Sequence, residues 1–380
     1  MWVIRKNWQY WVIMIGLVMA GISGCQNQKP IRIGVSFELT GKNGNLGVQA
    51  RNGVELAVET LNAAGGIQGR PIQLVIRDDQ GMPEQAKAVD RELINEGVVA
   101  IIGHITSAQT LAAYSVTEQA GIVLISPTAS SPELSGKQDH FFRVVAPNPK
   151  EGAVLAAYCF ERQKYQRLAV MYDTDNAAFT RSLLDAFTKN ATALNGQIVG
   201  EIGFSSSASP DFSALLADVQ ALQPDALLLL VSPVDTALIA QQRQMRGWTI
   251  PLVATAWAQS PELLHKGGEA ADGIVIPLAY DPNNTSPAYQ EFKTRYVRRF
   301  GETPTLYAGN GYDIVLILAA ALTKTAGRAG NLAKTLVEIE AVQGVAGPVK
   351  FDIYGEIARD WFLLEVKDGE FRSQGTLRAP

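Results

Sequence analysis

Cysteine and histidine are scarce in this chain. Two cysteines and three histidines stand among 380 residues. Two cysteines cannot build a disulfide framework. His104, His140 and His265 have no partners at metal-ligand spacing. This argues against zinc hydrolases and iron–sulfur proteins, and no metal or cofactor is expected. An excess of positive charge is missing as well: 33 Lys and Arg face 37 Asp and Glu, a net charge of −4. The basic footprint of a nucleic-acid binder is therefore lacking. Catalytic and nucleotide motifs are missing too. No Gly-x-Gly-x-x-Gly follows a strand, and there is no Gly-Lys-Ser/Thr phosphate loop and no Gly-x-Ser-x-Gly elbow. What remains is 47% hydrophobic and 18% charged, enough apolar material for a packed core and a length suited to two domains.

The one long apolar run near the start extends from Trp11 to Ile22, behind Arg5 and Lys6. It is shorter than the roughly 20 residues of a membrane span. A positive start, a short apolar middle and small residues before a cut are the marks of a secretory signal peptide. The run ends in Ile22-Ser23-Gly24-Cys25, which resembles the lipobox of bacterial lipoproteins. That resemblance implies a signal peptide over residues 1–24 and lipidation at Cys25. It also implies a place in the cell envelope, either outside the cytoplasmic membrane or in the periplasm and outer membrane. An ordinary signal peptide, or a short anchor with an incidental cysteine, is the plainer alternative. Cys159 lies in an apolar stretch and reads as a small core residue rather than a nucleophile.

The rest alternates strands and helices. Strands are expected at Ile31–Phe37, Ile72–Arg77, Val98–Ile102 and Ile122–Ile125. Helices are expected at Gly47–Leu61, Pro83–Glu96 and Ser107–Gln119 between them. The pattern restarts with strands at Leu168–Tyr172, Ala226–Val231 and Leu252–Thr255. Helices there cover Asn176–Lys189, Asp211–Leu222, Asp235–Arg246 and Pro287–Phe300. Ile314–Leu322 is apolar all round but too short for a membrane span, so it reads as a buried helix. This order predicts an α/β protein of two blocks, each a mainly parallel sheet flanked by helices. Gly65-Gly66-Ile67-Gln68-Gly69 follows a helix and reads as its cap and turn. Asp78-Asp79 ends a strand before a glycine, and a solvated turn is the simplest reading.

Two hydroxyl-rich loops draw interest. Gly103-His104-Ile105-Thr106-Ser107 opens a helix, and Ser126-Pro127-Thr128-Ala129-Ser130-Ser131 follows the next strand. Ligands of open parallel sheets bind beyond the carboxyl ends of strands. A helix N-terminus with added hydroxyls would hold a small carboxylate without lysine or arginine. Plain N-capping by Ser107 and Ser130 is the alternative.

At this point a resemblance emerges. Gly41, the run Gly47–Val58, and Asn62-Ala63-Ala64-Gly65-Gly66-Ile67-Gln68-Gly69-Arg70 resemble branched-chain amino-acid-binding proteins, the substrate-binding components of ABC importers. Ile102-Gly103-His104, Ser107 and Ile125–Leu134 resemble that family as well. So do Pro210-Asp211-Phe212-Ser213, Pro224-Asp225-Ala226, Tyr312-Asp313 and Gly347–Asp352.

The resemblance implies the two-lobe type I periplasmic-binding-protein fold with three hinge crossings, near Ala146–Pro149, Pro277–Tyr280 and Gly347–Phe351. The lobes would be 25–146 plus 280–348 and 147–279 plus 349–380. It places a ligand carboxylate on Ser107 and on the loop Thr128, Ala129 and Ser130. Departures lie in the second lobe. The family's glutamate against the ligand ammonium has no counterpart in Ala254-Thr255-Ala256-Trp257. Ser232-Pro233 replaces an aromatic after Val231, and Leu46 replaces a tyrosine. Asp173 or Asp175 would supply the missing charge, unless both cap the Asn176 helix. Trp257 would form an apolar wall, unless it is core. The implied function is a non-catalytic, monomeric, lipid-anchored receptor for an amino acid or related carboxylate or amide. Its partners would be an ABC permease and, through Cys25, the membrane. A sensor of the same fold that reports to a regulator or receptor kinase is the second reading, and a secreted α/β enzyme the third.

Overall fold

The computed structural model describes residues 29–377. The signal peptide and Cys25 therefore lie outside the described residues. Fourteen strands and eleven α-helices follow in order. The first group is β1 Ile31–Phe37, α1 Gly44–Ala63, β2 Ile72–Asp78, α2 Pro83–Asn95, β3 Ala100–Gly103, α3 Ser107–Ala120, β4 Val123–Ser126 and β5 Phe141–Arg143. The second is α4 Asn148–Ala156, β6 Arg167–Asp173, α5 Ala177–Ala193, β7 Gln197–Phe204, α6 Phe212–Ala221, β8 Ala226–Leu230, α7 Pro233–Met245, β9 Leu252–Ala254, α8 Pro261–Gly267 and β10 Val275–Leu278. Then come α9 Pro287–Phe300, α10 Leu306–Lys324, α11 Leu332–Glu338, β11 Val342–Gly344, β12 Gly347–Val349, β13 Trp361–Lys367 and β14 Glu370–Leu377.

Two large sheets result. The first has the order β2-β1-β3-β4-β5 and is parallel throughout. The second has the order β14-β13-β10-β9-β8-β6-β7; β13 and β14 join it antiparallel at one edge. Strands β3, β4 and β8 are buried at every position. Helices on both faces of a parallel sheet require such continuous apolar runs. Hydrophobic α10 runs through the core, fourteen of its nineteen residues buried.

The chain passes between the sheets three times. It leaves the first after β5, returns between β10 and α9, and crosses again before β13. The third crossing lies later than expected. Residues past Gly347 still pack on the first sheet: Phe351 meets Phe142 edge-on at 5.0 Å. Arg143 reaches Glu356, and its N–H donates to the Gly355 carbonyl at 3.0 Å. Only Trp361 enters the second sheet.

Asp78 and Asp79 differ: Asp78 sits in the expected half-exposed turn, and Asp79 does not. Asp78 accepts from the Leu39 and Gln80 N–H groups at 2.9 and 2.8 Å. Asp79 is fully buried rather than solvated, and binds His104 Nδ1 at 2.8 Å and Gln109 Nε2 at 3.0 Å. Asp90 holds the other ring nitrogen, Nε2, at 3.2 Å. Cys159 is fully buried, as its apolar neighbours imply, and burial pushes its thiol up.

Candidate functional site

The first half of the site is built on the carboxyl ends of β3 and β4. Thr106, not Ser107, caps α3. Its hydroxyl accepts from the Gln109 N–H at 3.3 Å, and the Gln109 side chain accepts from the Thr106 N–H at 3.0 Å. That reciprocal pair is a capping box. It leaves Ser107 as the first helical residue, where the helix supplies N–H groups without an intrahelical partner. The Ser107 Oγ accepts from the Ser130 and Ser131 N–H groups, both at 3.2 Å. Its own hydroxyl proton remains free to donate. Ser107 thus stitches the two hydroxyl-rich loops together.

Ser126 does the same from below. Its hydroxyl donates to the His104 carbonyl at 2.9 Å and accepts from the Thr128 and Ala129 N–H groups at 3.2 and 2.9 Å. The Asp79–His104–Asp90 cluster lies beneath, and Gln109 couples it to the α3 cap. Burial acts to lower the His104 pKa, but Asp90 and Asp79 outweigh it and push it up to about 10. A charged imidazolium between two buried carboxylates therefore underpins both loops.

The second half comes from the other sheet. Trp257, in the turn after β9, packs edge-on against Phe179 of α5 at 5.6 Å. Tyr307 of α10 reaches across and donates its hydroxyl to the Trp257 carbonyl at 3.0 Å. Glu151 of α4 points to the same turn, where one carboxylate oxygen accepts from the Ala256 N–H at 3.3 Å. It is 5% exposed, and burial pushes its carboxyl up to about 7 despite that one hydrogen bond. At the hinge, Arg359 pairs with buried Asp313 at 2.9 Å and is only 4% exposed. Its Nη1 has no hydrogen-bond partner among the described residues.

These groups border one cleft. Ser107, Thr128, Ser130, Glu151, Trp257 and Arg359 all line it. The cleft is partly closed by contacts between the two sides. Lys42 pairs with Asp235 at 2.7 Å, the Asn45 amide donates to the Ser260 hydroxyl at 3.3 Å, and the Leu306 N–H donates to the Gln259 side chain at 3.0 Å.

The sequence-derived residues divide. Ser107, Thr128, Ser130 and Trp257 come together in the cleft. Thr128 spends its hydroxyl on the Ile105 carbonyl at 2.7 Å. Ala129 is fully buried and supports the loop through its N–H. Leu46 is buried in α1 away from the cleft lining. Ser232 caps α7 and binds Asp235 at 2.9 Å. Asp173 and Asp175 neither line the cleft nor cap α5. They hold the turn after β7 instead, accepting from Ser206 and Ser207 N–H groups at 3.3 and 2.8 Å. Glu151 and Arg359 escaped sequence reasoning, and Ser126, though named in the hydroxyl-rich loop, was not singled out as its tether. Glu151 sits in Asn148-Pro149-Lys150-Glu151-Gly152, an ordinary helix start with Pro and an acid in the first turn.

The model of a family described as periplasmic binding protein matches residues 30–370. The chain belongs to the periplasmic binding protein family. That family consists of solute-binding proteins rather than enzymes, and its members work outside the cytoplasm. The leucine-specific-binding protein of Salmonella typhimurium is 28% identical over 354 residues, spanning 91% of this chain and 93% of that protein. A leucine-binding protein of Thermotoga maritima superimposes with a TM-score of 0.85 at 26% identity, covering 91% of this chain and 98% of its own. The branched-chain amino acid transporter substrate-binding protein of Streptococcus pneumoniae, solved with isoleucine, gives a TM-score of 0.84 at 25% identity, covering 92% and 99%. The fold is the type I periplasmic binding protein fold.

Proposed function

We propose that this chain is the extracytoplasmic receptor of an ABC importer, anchored by lipid on Cys25, and that its lobes close on an amino acid or a related small carboxylate or amide. One observation carries the ligand class: the α3 N-terminus, with the Ser107 and Ser130 hydroxyls, opens into an otherwise largely apolar cleft. Such an N-terminus favours an anion, and free N–H groups with hydroxyls suit a carboxylate. The leucine and isoleucine named for the relatives are the first ligands to try. One lobe would comprise residues up to Ala146 plus Tyr280–Ala358. The other would comprise Pro147–Ala279 plus Arg359 onward. Closure presents a surface to a membrane permease, and the receptor acts as a monomer. Equilibrium dialysis with a panel of amino acids, carboxylates and amides, with X-ray scattering before and after addition, tests this. Binding accompanied by compaction is expected; no binding by any of them overturns the reading.

A further inference from the structure

We propose that Glu151 is the counter-charge for a protonated amine on the ligand, so that the cleft takes a small zwitterion and binds it with release of a proton. This rests on the receptor reading above. The two ends of the cleft are chemically opposite. On one lobe, Ser107, Ser130 and the α3 N-terminus offer donors to an anion. On the other, Glu151 offers a carboxylate with a single 3.3 Å hydrogen bond from Ala256. The turn Ala254–Trp257 brings no acid of its own; Glu151 delivers one to it from α4.

The carboxyl has no cationic partner among the described residues. A buried carboxylate without one is costly. A ligand ammonium would remove that cost. The charged and titratable groups lining the same cleft are few. Arg359 is engaged by Asp313, and the Tyr280 and Tyr307 phenols are pushed up by burial and stay neutral. Burial holds the Glu151 carboxyl near 7 in the empty cleft, so it is partly protonated at neutral pH. An arriving ammonium favours the ionised form and expels that proton. Trp257, Phe179 and Trp361 leave an apolar space for the rest of the ligand.

The probes are L-leucine and L-phenylalanine against their deaminated counterparts, isocaproate and hydrocinnamate. Calorimetry should show the amino acids binding more tightly than the acids. Amino-acid affinity should rise roughly 30-fold from about pH 5.5 to about pH 8.5. Heats measured in buffers of different ionisation enthalpy should reveal a released proton. Glu151→Gln should lower amino-acid affinity on the order of 10- to 100-fold, leave the acids unchanged or improved, and flatten the pH profile. Should Glu151→Gln fail to fold, the wild-type pH slope and proton count still decide. Equal binding of amino acids and acids, or a flat wild-type profile with no proton released, overturns the role of Glu151 and leaves the receptor reading standing. Binding by neither class overturns both.

Discussion

At the residue scale, Ser107 does two jobs with one hydroxyl. It ties down the Ser130 and Ser131 amides and still has a proton to give a ligand. Ser107→Ala should therefore lower ligand affinity about 10- to 100-fold and also lower the melting temperature, since two loop amides lose their acceptor. Ser115→Ala, on the exposed side of α3, should change neither; calorimetry and thermal melts on both variants check this. Unchanged affinity in Ser107→Ala would reduce the serine to a loop staple. Cys25 carries a separate expectation: Cys25→Ser should block lipid attachment and processing, read by mass spectrometry of the mature N-terminus. His104 governs pH behaviour. Its folded pKa, about 10, lies above the ordinary value of 6.5. The stability it contributes is complete below pH 6.5 and is lost as pH rises toward 10. Melting temperature should thus fall across that alkaline window, and less steeply in His104→Gln. Nothing local marked His104 as a buried cation. Its partners Asp79 and Asp90 come from β2's end and α2, and only tertiary packing joins them.

At the scale of elements, the chain announced much of itself. Tyr289, Phe292, Tyr296 and Phe300 recur at helical spacing, and α9 stacks them with ring centroids 4.8–6.2 Å apart. The parallel strands were legible because burial on both faces demands unbroken apolar runs. Strands β7 and β14 were not, because each alternates half-buried with exposed positions and carries charge. Short β5 and β10 were lost for a different reason: Arg143 and Pro277 interrupt their apolar runs, whereas the equally short β9 is apolar throughout. Glycines that mediate helix contact were equally silent. A Cβ on Gly53 would lie 2.0 Å from the Ala308 carbonyl, and one on Gly311 would lie 2.4 Å from that of Ala50. Helices α1 and α10 touch backbone to backbone there. Gly53→Ala should push them apart and cost about 1–3 kcal/mol, measurable by denaturant unfolding, while Gly69→Ala, in open space, relieves no contact and reports only the strain of its positive φ.

At the scale of the whole molecule, the two lobes meet through a few polar contacts around the cleft. Lys42 and Asp235 form the best defined of these. The aspartate is nearly buried and also bound by the Ser206 and Ser232 hydroxyls, while the lysine is one-third exposed. A pair with one exposed partner contributes little, about 0–1 kcal/mol, but it joins one lobe to the other. Contacts made in one state alone set the balance between states. Lys42→Ala should therefore enlarge the ligand-free radius of gyration in scattering and weaken binding by less than about tenfold, without lowering the melting temperature of either lobe. A lasting compact form in Lys42→Ala would show that the closed state rests on other contacts. The acid in the cleft was hidden from sequence reasoning for a related reason: Glu151 belongs by position to a helix start and by geometry to a turn about a hundred residues away.

The burial of Cys159 has a practical side. Its sulfur is sealed in the core and held protonated by its apolar surroundings, and thiol reagents and disulfide exchange both need an accessible thiolate. The described surface is thus blank to maleimide dyes. In a Cys25→Ser background, a single cysteine placed on each lobe would be the pair that takes label, and the distance between two fluorophores would then follow opening and closing in real time.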